Sequence, residues 1–238
     1  MLRKRIHNLK FSKKEWWLFV LVAFVTGVIL SWRMWGESSF NVNAGLENLV
    51  IMFVASFIAI VIHFGGEKLY ALKKGYEVQY VINHIGLGIG AFVAVLFDGF
   101  GFILAPGYME VKSVKKLRIG KWKYRPYFRD YGYMAFHGII ANLILAAILS
   151  FFIGNPIVEK IIRANILIAF FSLIPAPKYD GFHILFASFY QYAFIVGFVS
   201  VFAVTLMYYA SIWIALISGI VIGFIGFITL FYKRDYKS

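Results

Sequence analysis

The sequence lacks cysteine altogether and has few charged residues. Without cysteine, disulfide bonds and thiolate metal sites are excluded, and the redox compartment cannot be inferred. Charged residues make up 15% of the 238 positions and hydrophobic residues 61%, whereas soluble domains carry about 25% charged residues. The apolar residues form long runs without two-residue alternation. The sequence therefore predicts an all-α polytopic membrane protein rather than a soluble domain or a membrane β-barrel.

Positive charge outweighs negative charge in the sequence. Lys and Arg number 24 against 11 Asp and Glu, which gives a formal net charge of +13. In a membrane protein such an excess is expected on the cytoplasmic loops. We therefore expect contacts with membrane lipids and no nucleic-acid partner.

Seven apolar runs are candidates for membrane spans, namely 16–32, 48–66, 81–105, 131–154, 161–176, 182–206 and 211–232. The third run differs from the others because Asp98 interrupts it and because it is rich in glycine. Its glycines are Gly86, Gly88, Gly90, Gly99 and Gly101. This composition is typical of non-helical backbone at membrane depth, which is tolerated where protein buries it or a wet cavity surrounds it.

The positions of Lys and Arg predict how the chain is oriented, because basic loops stay in the cytoplasm. The N-terminal segment 1–15 is basic and is expected there. If 81–105 crossed the membrane, the most basic stretch of the chain, 106–130, would lie outside, and so would the basic tail 233–238. Both conflicts disappear if 81–105 enters and leaves on the cytoplasmic side.

We therefore predict one transmembrane domain over 16–232, built from six transmembrane helices and a re-entrant segment that can contain β-structure. Both termini are expected in the cytoplasm, and the protein is expected to be an integral, multi-pass membrane protein. Seven transmembrane helices are the alternative. The oligomeric state is not indicated.

Three groups of polar residues interrupt the apolar runs. His63 and Glu67 lie four residues apart and share one helix face. A second group, 137–142, begins with His137, and a third places Asp180 shortly after two prolines. Ionisable residues within a membrane are costly, so they are candidates for function.

These groups, in this order, resemble the motifs of the site-2 protease family, the intramembrane zinc metalloproteases of peptidase family M50. The resemblance covers 48–185. The family carries H-E-x-x-H on a helix, then A-G-P-x-A-N, then N-x-x-P-x-P-x-x-D-G. The residues that match are His63, Gly138, Ala141, Asn142, Pro175, Pro177, Asp180 and Gly181.

Other positions depart from the family pattern. Phe64 stands where the family has its catalytic glutamate, and a phenyl ring can neither accept nor donate a proton. Glu67 replaces the second zinc histidine, and Ser172 replaces the motif asparagine. The resemblance therefore implies a catalytically degenerate member in which no catalytic residue is expected.

Two interpretations of the altered site remain open. In the first, no cofactor is bound and His63, Glu67 and Asp180 form a buried hydrogen-bonded cluster. In the second, the same three residues bind zinc, for which imidazole and carboxylate are acceptable ligands, and His137 adds a fourth. The resemblance further implies a cleft at His137, Gly138, Asn142, Ser172, Pro175, Pro177 and Gly181.

The function that we expect is that of a pseudoprotease, which holds a transmembrane helix of another protein in the former substrate cleft or serves as a subunit of a membrane complex. An active metallopeptidase with an altered metal site is one alternative, and a carrier of a small molecule or an ion is another. The basic loop is expected to face the lipid headgroups through Lys115, Lys116, Arg118, Lys121, Lys123, Arg125 and Arg129.

Overall fold

The structure, a computed structural model, describes residues 10–36, 40–114, 128–209 and 211–235. Over these ranges the chain is mainly helical, and five of the described helices are long and apolar enough to cross a membrane. The β-structure of the described ranges is one two-stranded sheet. The chain is a helical membrane protein, as its composition predicts.

The elements follow one another as α1 (Lys13–Ser31), α2 (Val42–Lys74), β1 (Tyr76–Ile82), α3 (His84–Leu96), β2 (Gly107–Val114), α4 (Phe128–Leu149), a 3-10 turn (Ser150–Phe152), α5 (Pro156–Ser172), α6 (Asp180–Ala187), α7 (Phe189–Tyr209) and α8 (Ile212–Asp235). The five candidate spans are α1, α2, α4 with its 3-10 turn, α7 and α8. Helix α5 is shorter, at 17 residues.

Helix α2 extends beyond the apolar run 48–66 at both ends. It begins after Asn41, whose side chain accepts a hydrogen bond from the Ala44 N–H, and it ends at Gly75, which has a left-handed φ of 86°. Its 33 residues span about 50 Å. The apolar run stops before Glu67, but the helix continues because Glu67 and the adjacent Lys68 are buried in the protein.

A polar contact fixes the start of α1 against α2 and β1. Ser12 and Glu15 form a capping box at the start of α1. The buried Glu15 also accepts the backbone N–H of Tyr80 at 3.1 Å and lies 3.5 Å from the Lys68 ammonium. The start of α1 therefore meets the end of α2 and strand β1 at one end of the molecule.

The segment 81–105 leaves the sheet and returns to it. Strands β1 and β2 are antiparallel, with Ile82 opposite Gly107. Between them the chain runs outward as α3, turns where Asp98 and Gly99 have φ of 48° and 71°, and comes back in an irregular stretch. The two ends of this excursion therefore lie side by side.

The β-structure lies at the borders of that segment rather than inside it. Strand β1 is mostly earlier than residue 81, and β2 occupies the start of the predicted loop 106–130. The loop is also shorter than predicted, because α4 begins at Phe128. Residues 115–127, together with 1–9 and 236–238 of the predicted basic termini, lie outside the described residues.

Two apolar runs have other boundaries in the structure than in the prediction. The run 161–176 corresponds to α5, which begins at Pro156 and ends at Ser172 because the following prolines disfavour helical backbone. The run 182–206 is not one helix. Ser188 is extended, with φ −165° and ψ 115°, and its hydroxyl accepts the N–H of Gln191 as a cap of α7.

Helices α2, α4 and α5 pack against one another and form the centre of the molecule, while α7 and α8 form a separate hairpin at its side. Glycine permits the close approach within that hairpin. A Cβ on Gly223 would lie 2.9 Å from the backbone oxygen of Phe194. Small residues at such crossings are typical of helix pairs in membranes.

Candidate functional site

His63, Glu67 and Asp180 meet in the centre of the molecule. His63 and Glu67 are one turn apart on α2, and Asp180 is the first residue of α6. The His63 Nε2 lies 2.7 Å from Asp180 Oδ2 and 3.2 Å from Glu67 Oε1. The exposed fractions are 2%, 1% and 6% respectively. Two carboxylates therefore share one imidazole in a buried site.

The proline-containing turn between α5 and α6 brings Asp180 to this site. The Tyr179 N–H donates to the Ala176 carbonyl, and Lys178 adopts a left-handed φ of 71°. A Cβ on Gly181 would clash with the carbonyl of Leu173, so only glycine fits at this position. The N-terminus of α6 also favours the carboxylate of Asp180, because its helix dipole is positive there.

The three side chains offer a donor set of the kind that metal ions accept. One ligand atom from each lies within 4.8 Å of the others. Among the described residues, His63 Nδ1 has no hydrogen-bond partner. One imidazole and two carboxylates match the nitrogen and oxygen ligands of zinc. The donor set therefore fits a divalent cation in kind and number.

Phe64 occupies the position where the resemblance to site-2 proteases would place a general base. Its ring is buried and packs 4.6 Å from the Tyr80 ring and 6.1 Å from the Phe19 ring. It also meets the His63 ring edge-on at 5.1 Å. The position that follows the histidine is thus filled by an aromatic cluster of α1, α2 and β1, and it offers no proton acceptor.

Sequence reasoning missed Tyr80 as a neighbour of this position. Its hydroxyl donates to the Pro106 carbonyl at 2.5 Å. Burial raises the pKa of Tyr80 above its usual value, so the phenol stays protonated and engaged with that carbonyl. A signal for Tyr80 was available in the segment Tyr76–Ile82, which forms β1. More buried and less buried residues alternate along this strand.

Helix α4 approaches the site through glycine. A Cβ on Gly138 would lie 2.9 Å from His63 Nε2 and 3.1 Å from Glu67 Oε1. On α2, next to Glu67, a Cβ on Gly66 would lie 2.5 Å from the His137 carbonyl. The glycine of the A-G-P-like pattern therefore lets α4 cover the polar cluster directly.

His137 does not join the cluster. Its side chain is exposed, its Nδ1 lies 2.7 Å from the Tyr133 carbonyl, and its ring packs 4.6 Å from Tyr70. His137 and Gly138 are consecutive residues of α4 and therefore point in different directions, and Gly138 faces the site. The structure therefore does not bring His137 to the other three residues.

The remaining residues of the predicted cleft divide into buried and exposed ones. Asn142 is buried, and its Nδ2 donates to the Asn165 carbonyl at 3.4 Å. Ser172 is buried and donates to the Ala169 carbonyl. Pro175 and Pro177 are exposed on the turn before α6. Most of the predicted cleft is thus occupied by neighbouring helices.

Asn165 is a further buried polar residue that the sequence analysis did not select. Its Nδ2 donates to the Ile161 carbonyl within α5, and its Oδ1 has no partner among the described residues. The signal was present, because Asn165 is a lone amide within an apolar run.

The predicted lipid-facing basic loop falls almost wholly on 115–127, outside the described residues. Arg129 is described, and it belongs to the first turn of α4 rather than to a loop. Its guanidinium is exposed and donates to the Tyr133 hydroxyl at 3.3 Å.

Comparisons of the chain with protein-family models, with curated proteins and with solved structures give no match. The resemblance to site-2 proteases therefore depends on the motif residues alone.

Proposed function

We propose that the chain is a catalytically degenerate relative of the site-2 proteases that acts by binding a transmembrane helix rather than by hydrolysis. One observation carries the proposal. Phe64, at the position of the catalytic glutamate, is buried in an aromatic cluster with Phe19 and Tyr80. Hydrolysis at a metal-bound water needs a general base within hydrogen-bond reach, and a phenyl ring cannot act as one.

The arrangement of the three motif groups supports the family assignment. His63 from the first group, Gly138 from the second and Asp180 from the third meet within contact distance. They are 117 residues apart at the extremes, so helix propensity alone does not explain their convergence. The exposed His137, Pro175 and Pro177 surround this centre and are the residues that we propose contact a bound helix.

We propose the predicted topology together with this function: six transmembrane helices, a re-entrant segment 81–105 and cytoplasmic termini. The pairing of Ile82 with Gly107 supports a segment that enters and leaves on one side. The contact of Lys68 with the Lys10 carbonyl, at 3.1 Å, supports a common side for the start of α1 and the end of α2.

A metal-binding but non-hydrolytic site is the second candidate, and the convergence of three ligand atoms within 4.8 Å favours it. When bound, a zinc ion would supply Lewis-acid polarisation of a bound oxygen. His63, Glu67 and Asp180 would hold it. Phe64, which follows His63, offers no group that could move a proton.

Metal analysis of the purified protein separates the two candidates. We expect less than stoichiometric metal in the wild type and no cleavage of a model transmembrane peptide. The Glu67→His variant recreates the family ligand set and should gain about one zinc ion per chain. The Glu67→His, Asp180→Ala double variant is its control and should lose that ion.

Cleavage of the model transmembrane peptide is measured in the double variant Phe64→Glu, Glu67→His beside the wild type. Stoichiometric metal in the wild type that Asp180→Ala removes would establish the second candidate instead of the first. Wild-type cleavage of the peptide that a chelator abolishes would refute the non-hydrolytic function altogether.

Helix binding is tested with a photo-reactive amino acid at His137 or Pro177, and at Ile217 of α8 as the lipid-facing control. We expect crosslinks to a single-span membrane protein from the first two positions only. Crosslinks to lipid alone, or equal capture at Ile217, would contradict a helix-binding surface around the cluster.

A further inference from the structure

Two adjoining cavities lie at the end of the molecule away from the capping box of α1. The smaller, of about 340 Å³, is bounded by the end of α1, the turn after α3 and the side of α5. The larger, of about 420 Å³, lies between the start of α5 and the end of α7. Arg163 and Met34 line both, so the two spaces adjoin. Their size is that of ligand-binding pockets.

Two arginines, both exposed, line the smaller cavity. Arg33 follows the end of α1, and Arg163 lies on α5. Among the described residues neither arginine forms an ion pair, and no carboxylate lines this cavity. Arg33, after α1, and Arg163, on α5, therefore line the same space without an ion-pair partner among the described residues.

The other charged residues of the region have hydrogen-bond partners of their own. Lys160 donates to Asn48 Oδ1 at 2.6 Å, and Glu159 Oε1 accepts the Gly154 N–H at 3.1 Å. Both groups are thus engaged elsewhere, although Glu159 is one turn before Arg163 on α5. The Arg33 guanidinium instead stacks on the Phe100 ring, 3.3 Å from its centroid. Stacking fixes the plane of the group and leaves its N–H edges free to donate.

In the proposed topology α5 crosses the membrane, and the exposed side chain of Arg163 on this helix then favours an anionic partner. It lies seven residues into α5, which is about 10 Å along the helix axis. A cation at such depth in a membrane protein is costly unless a partner neutralises it. Paired guanidinium groups match the oxygens of a phosphate, because each can donate two parallel hydrogen bonds.

The surroundings of the cavity favour a phosphate that carries acyl chains. Leu30 and Phe102 line the smaller space. Ile162, Leu206 and Met207 line the larger one, together with the polar Glu159 and Lys160 at the start of α5. A charged head with apolar walls continuing beside it matches the two ends of a phospholipid. Basic pockets between transmembrane helices on the cytoplasmic side bind lipid headgroups, and this site offers the same chemistry at the opposite end of the bundle.

We infer that Arg33 and Arg163 form a binding site for the phosphate of an anionic phospholipid, with its acyl chains along α5 and α7. The site is separate from the His63 cluster, and it does not depend on the function proposed for that cluster. It is also separate from the predicted basic loop, of which only Arg129 is described.

The test is a titration of the purified full-length protein in detergent with phosphatidylglycerol, followed by native mass spectrometry and thermal melting. We expect saturable binding of one lipid that raises the melting temperature. Arg33→Gln and Arg163→Gln should each weaken it about tenfold, because each removes a charge-assisted pair. Lysine at the same positions keeps the positive charge but lacks the two parallel N–H donors of the guanidinium. The lysine variants should therefore lose less lipid affinity than the glutamine variants.

Controls separate this site from general charge effects and from free phosphate. The Lys73→Gln, Lys233→Gln double variant removes two exposed cations elsewhere and should bind like the wild type. Diacylglycerol, which has no phosphate, should not bind. Equal stabilisation by inorganic phosphate alone would overturn the lipid as the source of the anion. Unchanged phosphatidylglycerol binding by the Arg33→Gln, Arg163→Gln double variant would overturn the site.

Discussion

His63 is the residue on which the polar cluster depends. Its Nε2 lies within 3.2 Å of both Glu67 and Asp180, so one imidazole faces two carboxylates away from solvent. If all three groups are charged, the cluster carries one excess negative charge. Buried charges of this kind need a partner, and a bound cation or a shared proton would supply one. Substitutions at each residue distinguish these cases.

Replacing Glu67 by Gln removes the excess charge at nearly constant volume. Without a metal, the His63–Asp180 pair remains balanced, and we expect the variant to be more stable by about 1–2 kcal/mol. With a bound metal the same change removes a ligand, so metal content and melting temperature should both fall. Glu47→Gln, at an exposed position of α2, is the control and should change neither. A variant that loses stability without any metal in the wild type would contradict this account.

Replacing His63 by Ala leaves both carboxylates without their shared partner. We expect a loss of about 3 kcal/mol, as for other broken buried pairs, seen as a lower melting temperature in detergent. The triple variant His63→Leu, Glu67→Met, Asp180→Leu removes every partner together and should recover most of the loss. An unchanged melting temperature in His63→Ala would show that the cluster does not stabilise the fold.

Sequence patterns could locate His63, Glu67 and Asp180 because each is a rare polar residue in an apolar context, and the four-residue spacing places the first two on one helix face. They could not give the orientation of His137. That depends on which face of α4 meets α2, and the crossing is set by Gly66 and Gly138 in three dimensions.

The crossing of α2 and α4 is the element-scale feature that covers the site. Gly66 and the adjacent Gly65 differ sharply in their surroundings, since a Cβ on Gly66 would meet the backbone of α4 and one on Gly65 would meet no atom within 4 Å. Gly66→Ala should therefore separate the helices and lower the melting temperature. Gly65→Ala should be neutral or stabilising by up to about 1 kcal/mol, because alanine is the better helix former. Equal effects at the two positions would exclude close packing as the reason for Gly66.

Other element boundaries show where hydrophobic runs are informative and where they are not. The hydrophobic runs located every long helix, because a membrane span requires a long stretch of predominantly apolar residues. They missed that α2 extends through Glu67 and Lys68, since burial against Glu15 and Asp180 is a tertiary property. They also merged α6 and α7, because Ser188 is the only polar residue between two apolar helices and acts as a cap.

At the scale of the whole molecule, several contacts involve basic residues near helix ends, and these contacts lie at one end of the helical bundle. Lys68 reaches the Lys10 carbonyl, and Lys74 lies 3.7 Å from Asp130 at the start of α4. The His183 ring stacks on Tyr131 at 5.2 Å, which places α6 at the same end. Charge counting along the sequence predicts one common side for the basic segments only if 81–105 is re-entrant. The structure adds the pairing of β1 with β2, which no charge pattern reveals.

The proposed topology predicts which single cysteines an impermeant maleimide labels from outside intact cells. The chain has no native cysteine, so each introduced thiol reports alone. Lys73→Cys, Arg129→Cys and Lys233→Cys should be protected, because all three flank helix ends assigned to the cytoplasm. Val42→Cys and Phe151→Cys, both exposed at the opposite ends of α2 and α4, should be labelled. After permeabilisation every position should react, which controls for accessibility. Labelling of Arg129→Cys from outside, with Lys73→Cys still protected, would mean that 81–105 crosses the membrane, and the seven-helix alternative would replace the re-entrant one.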